Sequence, residues 1–170
     1  MKLKIVDCLD QEFEPFIIRA INFYSIELFK SKRLLSRLDL TIQFKKYKPE
    51  EDDIGCTMVS GLNKSNKPRK FKIILRAGLG AAATLKCIAH EMVHVKQFAL
   101  GELSLDGTKW KKETVPTDVD YYYEPCEIEA YGLEVGLWKK FLLREELWNV
   151  FKGVQNYNDT MDFKKILWKK

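Results

Sequence analysis

The sequence predicts an α+β fold in a single domain, and three observations carry that prediction. Residues 39–76 hold three runs with strand character, while segments before and after them show helical periodicity. No repeat, low-complexity tract or linker divides the 170 residues. A chain of that length, 46% hydrophobic, is large enough to bury a core of its own.

Residues 3–6 read as a short strand. Over residues 11–38, Phe13, Ile17, Ala20, Ile21, Tyr24, Leu28 and Leu35 recur at steps of about three and four, which predicts one long packing helix. Pro15 falls in its first turn, where a missing N–H costs little. In residues 39–47, Leu40, Ile42 and Phe44 alternate with polar neighbours, the pattern of a half-buried strand. A charged loop at 48–53 leads to strands at 56–62 and 69–76, joined as a hairpin by the polar turn 63–68. Arg69, Lys70, Lys72 and Arg76 could form a phosphate-binding stripe, but a solvated, charge-protected edge is the preferred reading.

Gly78 and Gly80 then break the chain before a helix at 81–100. Thr84 is a candidate N-cap, or Ala81 to Ala83 already belong to the helix, and Gly101 is its stop. Residues 102–123 read as irregular, ending in three consecutive tyrosines. A second strong helix is expected over 126–151. In the tail at 156–170, Phe163, Ile166, Leu167 and Trp168 among lysines suggest a short amphipathic helix that packs back.

Lys+Arg number 29 against 24 Asp+Glu, a net charge of +5. That charge permits weak, sequence-independent contact with nucleic acid and requires none. Cys8, Cys56, Cys87 and Cys126 are scattered, as expected of free thiols rather than a disulfide framework. The N-terminal residues lack a long apolar region, and no stretch is long enough to cross a bilayer. A cytoplasmic location follows as the expectation, the cytoplasm of a host cell included.

The chemistry concentrates in residues 87–97. His90-Glu91-Met92-Val93-His94 uses the only two histidines of the chain. Residues four apart lie one turn above each other on a helix, so both imidazoles can reach one metal ion. Glu91 beside them is placed to act as a general base, and Zn2+ is the metal this spacing implies. The apolar stripe Leu85, Ile88, Ala89, Met92, Val95 and Ala99 lies opposite the line through Ala83, His90, His94 and Gln97. Core packing is therefore assigned to one face, and the histidines to a face that looks toward a cleft or a second element.

A catalytic zinc with two imidazoles and a water lacks one protein ligand. No third histidine exists, so the acids of residues 123–134 become the candidates: Glu124, Glu127, Glu129 and Glu134. The predicted core face of the 126–151 helix comprises Ile128, Ala130, Tyr131, Val135, Trp138, Phe141 and Leu142. Glu127 falls within that face, where a metal would compensate its charge, and Glu129 falls on the far side with Lys140. Glu127 is preferred, with Glu134 and Glu129 left open. Tyr131, one turn after Glu127, is a candidate to hold a ligand or a developing oxyanion, or simply a core aromatic. Cys87 reads as a buried thiol, and Gln97 as lining the cleft or holding a histidine.

Residues 90–97 together with Glu124-Pro125-Cys126-Glu127-Ile128-Glu129-Ala130-Tyr131 resemble the small zincin metallopeptidases, especially the SprT-like peptidases of bacteriophages. The resemblance spans roughly residues 40–145. It implies a zincin-like domain with a small mixed sheet, the metal helix packed under it, and a second helix bringing the last ligand. Glu127 and Ala130 are similar to the Glu-x-x-Ala element of zincins whose third ligand is Glu. SprT and Spartan proteases use a third histidine, which this chain lacks, so their role on DNA–protein crosslinks does not carry over.

The leading expectation is a zinc metallopeptidase in which His90, His94 and Glu127 bind the metal and Glu91 is the base. Its partner is a protein or peptide substrate held extended along a sheet edge. The alternative is a non-catalytic, zinc-stabilised module that binds nucleic acid or a protein.

Overall fold

A computed structural model of the chain describes residues 1–8, 10–46 and 54–147. The expected loop at 48–53, residues 148–151 of the expected second helix and the 156–170 tail lie outside the described residues; that helix already ends at Arg144, short of the expected 151.

Four strands form a mixed sheet: β1 (Lys2–Val6), β2 (Asp39–Lys45), β3 (Gly55–Leu62) and β4 (Pro68–Arg76). Their order is β1-β2-β4-β3, with β1/β2 and β2/β4 parallel and β3/β4 antiparallel. The α+β class and the 56–62/69–76 hairpin are thus as the sequence reading has them. Leu40, Ile42, Phe71, Ile73 and Leu75 alternate toward one face and are fully buried there.

Helices α1 (Glu14–Leu28), α2 (Lys32–Leu35), α3 (Ala81–Leu100) and α4 (Pro125–Arg144) complete the main architecture. α1 inserts Ile17, Ala20, Ile21 and Tyr24 into the core, and the Tyr24 hydroxyl donates to the Leu85 carbonyl at 3.2 Å. α4 closes the core with Ala130, Leu137, Trp138, Phe141 and Leu142. The Phe141 ring lies 5.8 Å from both Phe23 and Tyr24. Among the described residues, no helix is long and apolar enough to cross a membrane.

Several local expectations are corrected. The single helix over 11–38 is two: Phe29 turns extended after α1, and the Ser31 hydroxyl caps α2 by accepting from the Leu34 N–H at 3.2 Å. Apolar spacing continues across the break, so periodicity alone could not reveal it. β4 is an inner strand rather than an edge. Its Lys70 is exposed, while β1 and β3 are the edges among the described residues. α3 has the expected bounds, 81–100, with Gly80 rather than Thr84 as its cap, and the Thr84 N–H bonds the Gly80 carbonyl at 2.9 Å. Its stop is as expected: Gly101 is left-handed, φ 73°, a conformation that suits glycine. Residues 102–123 include a small hairpin, β5 (Lys109–Trp110) with β6 (Glu113–Thr114), before a 3-10 turn at Tyr121–Tyr123.

α3 has no exposed side over most of its length, and α4 is the second element toward which the histidine face was expected to look. Ala83, His90, His94 and Gln97 are as buried as the apolar stripe opposite them. The sheet and α1 cover one face, and α4 covers the other.

Candidate metal centre

His90 and His94 stand one turn apart on α3 with ring centroids 4.8 Å apart and Nε2 atoms 3.1 Å apart. Glu127, in the first turn of α4, meets both. One oxygen, Oε2, is 3.2 Å from His90 Nε2 and the other, Oε1, 3.2 Å from His94 Nε2. One ligand atom from each of the three lies within 4.8 Å of the others, and all three side chains are buried.

The far side of each imidazole is also occupied. His90 Nδ1 faces Glu134 Oε2 at 3.1 Å, and His94 Nδ1 faces Gln97 Oε1 at 2.8 Å. The Gln97 amide cannot be turned round, because its nitrogen donates to the Cys126 carbonyl at 2.9 Å and to Glu129 Oε2 at 3.1 Å. Both of those partners only accept. Oε1 must therefore face His94, whose Nδ1 must carry a proton to meet it. The Glu134 carboxylate sets His90 the same way.

With Nδ1–H used on both rings, the neutral imidazoles present bare Nε2 atoms to each other and to Glu127. Four lone-pair-bearing atoms then converge with no proton among them. Glu127 Oε2 is a buried oxygen without a hydrogen-bond partner, even though His90 Nε2 is close by. Such a nest is unfavourable unless a cation sits in it. Without a metal, protons serve. Burial opposes the charged form of His90, but hydrogen bonds to Glu127 and Glu134 carry its pKa up to about 9. Burial likewise opposes ionisation of Glu127, yet its bonds to His90 and His94 hold its pKa down to about 2. Two imidazoles, one carboxylate and a hydrogen-bonded outer layer fit a divalent metal of the zinc type.

Glu91 follows His90 on the helix but points to β3. The Thr57 hydroxyl is 2.7 Å from its Oε2 and 3.1 Å from its backbone carbonyl. Burial raises the Glu91 pKa, partly offset by the two histidines. Gly55 makes room here: a Cβ at that position would collide with Cys87 Sγ and come within 3.0 Å of Glu91 Oε1. A cavity of about 230 Å³ opens on Gly55, Thr57, Glu91, His94, Tyr121 and Glu127.

Among the acids left open by the sequence, Glu134 sits behind His90 and Glu129 is engaged elsewhere. Lys96 Nζ bonds Glu129 at 3.1 Å and Glu102 at 2.7 Å, and Lys111 adds a longer contact to Glu129. Lys140, placed on the same side of the helix as Glu129, is exposed and pairs with Glu27 at 2.9 Å. Cys87 is buried, as expected, and all four cysteines are free thiols.

The predicted core face of α4 is rotated by about one residue. Ile128 and Val135 are exposed, at 56% and 40%, and Tyr131 at 37%. The buried series is Cys126, Glu127, Ala130, Glu134, Leu137, Trp138, Phe141 and Leu142. Ile128, Tyr131 and Val135 stand outside that series, whereas Glu134, two turns after Glu127, lies within it. Tyr131 is therefore not a core aromatic. Its ring lies across His90, centroids 4.6 Å apart, and is not part of the cavity wall.

Three residues of the site went unrecognised in the sequence. Thr57 and Gly55 needed the register of β3 against α3, which no local pattern encodes. Tyr121 lines the cavity, and burial together with the nearby charge of Glu127 pushes its pKa up. Asp120, which accepts from the Tyr122 N–H at 3.1 Å, marks the turn that places it. Nothing in the sequence chooses among the three tyrosines. Set against protein-family profiles, curated protein sequences and solved structures, the chain has no match.

Proposed function

We propose that this chain is a zincin-like, zinc-dependent metallopeptidase. The observation that carries the reading is the conjunction of a buried His-His-Glu nest with a separate buried carboxylate, Glu91, at the wall of the same cavity. A structural zinc site is usually closed by four protein ligands and has no use for such a base. When bound, the metal would polarise a carbonyl and make water nucleophilic at neutral pH.

In this reading His90, His94 and Glu127 hold the metal. Glu134 and Gln97 keep each imidazole in the tautomer that leaves Nε2 free. The Thr57 hydroxyl donates to Glu91 Oε2, which fixes the carboxylate and leaves Oε1 as the oxygen that takes a proton from the attacking water. The same oxygen returns that proton to the leaving amine nitrogen, so Glu91 ends as it began. Its raised pKa suits both halves of that task. Tyr121 offers a phenol inside the cavity, and Tyr131 restrains the His90 ring from outside.

The test is the Glu91→Gln variant. Gln keeps the shape and still accepts from Thr57, but it takes no proton. Wild type and variant, both zinc-loaded, are incubated with a proteome-derived peptide library. Hydrolysis is expected to fall roughly a hundred- to ten-thousand-fold with zinc content unchanged. Equal cleavage by the two proteins would remove Glu91 from the mechanism and overturn the peptidase reading.

A further inference from the structure

Next to the cleft lies a second hollow, of about 530 Å³, lined by residues 57–62 of β3 with Phe98 and Leu105. Thr57 and Phe98 belong to both walls, so the two spaces adjoin. Phe98 is anchored against the core, whereas Met58, Leu62 and Leu105 are 51%, 43% and 56% exposed. Large apolar side chains gathered at one hollow mark a place where something apolar is received. None of the lining residues is charged. A charged side chain entering would lose water and find no partner.

β3 is an edge strand, paired with β4 on one side and with no strand on the other among the described residues. An extended segment laid along it would present alternate side chains to the same wall.

We propose that this hollow is a specificity pocket for the substrate polypeptide, taking one large aliphatic or aromatic side chain of an extended segment that continues along β3 into the cleft. The inference rests on the peptidase reading of that cleft. The wall shared with the cavity at Glu91 along β3 names the occupant, and the uncharged lining names its side chain.

The experiment measures binding separately from cleavage. The zinc-loaded, full-length Glu91→Gln protein is titrated into two fluorescein-labelled ten-residue Ala/Ser peptides that differ only in a central Leu or Ser. The Leu peptide is expected to bind roughly ten- to a hundred-fold tighter, as burial of a large apolar side chain allows. Adding Leu105→Asp, and separately Leu62→Asp, is expected to erase that preference without changing binding of the Ser peptide. Both positions are exposed, and circular dichroism checks the fold. Equal binding of the two peptides overturns the pocket, as does a Leu preference that survives both substitutions. A monomer–dimer shift abolished by Leu105→Asp would also overturn it, by showing a second copy as the occupant. None of these outcomes depends on hydrolysis, so a failed peptidase reading leaves its own separate trace.

Discussion

The two helices that build the site are equally long, twenty residues each, and differently covered. α3 is enclosed by the sheet, α1 and α4, so every polar group on its middle turns needs a partner inside the protein. α4 is amphipathic, with Ile128, Val135 and Leu143 left at the surface. Yet α4 turns two acids inward, Glu127 and Glu134, and both end on histidines of α3. Polarity is enforced on α3 by enclosure, whereas on α4 it is spent by choice. An acid buried where a helix had an exposed face available is the stronger sign of function.

That contrast is sharpest at Glu127 and Glu129, two residues apart. Glu127 enters the nest, and Glu129 ties α4 to Lys96, Gln97 and Lys111 at its border. The largest expected effect follows directly. His90→Ala, His94→Ala or Glu127→Ala removes stoichiometric zinc, while Glu129→Ala keeps it, as elemental analysis of the purified proteins would show. If Glu129→Ala lost zinc and Glu127→Ala held it, the contrast between the two acids would be reversed.

A smaller effect is expected from the groups behind the histidines. Gln97→Met or Glu134→Gln should weaken zinc affinity roughly ten- to a hundred-fold in chelator competition, with one zinc still bound at saturation. Unchanged affinity would mean that the tautomers are set by something other than these two side chains.

The proton-filled nest adds a pH dependence. His90 has its pKa raised from 6.5 to about 9, so its contribution to stability in the metal-free protein is fully present below pH 6.5 and lost as pH rises through 9. Zinc must displace that proton, so its apparent affinity should climb about tenfold per pH unit for each proton released below pH 9. Calorimetric melting of metal-free protein should accordingly decline across that window, and added zinc should offset the decline. A flat profile would mean the histidines are not paired with Glu127 when the metal is absent.

The smallest effect lies away from the site. Gly101→Ala puts a Cβ on a left-handed residue, which should cost about 1 kcal/mol and lower the melting temperature by roughly 2–4 °C. No change would show that the cap of α3 relaxes freely.

Much of this was legible in the chain. His90, Glu91 and His94 are a local pattern, since one helical turn carries all three, and strand alternation revealed β2 and the β3/β4 hairpin. Glu127 was legible through burial, although the face drawn for it was too wide on one side: Ile128, Tyr131 and Val135, counted in it for their apolar character, stay at the surface. What stayed hidden depended on distance in sequence. Thr57 meets Glu91 across 34 positions and Glu134 meets His90 across 44. The inner position of β4 likewise follows from its parallel pairing with β2, which the strand's own residues do not specify.

The central claim is that His90, His94 and Glu127 hold one metal through nitrogen and oxygen alone. X-ray absorption at the zinc edge of the loaded protein tests it most directly. Nitrogen and oxygen neighbours alone are expected around the zinc, with the multiple-scattering signature of two imidazoles. A sulfur neighbour at about 2.3 Å, bringing Cys87 or Cys126 into the shell, would contradict it, as would a shell with no imidazole.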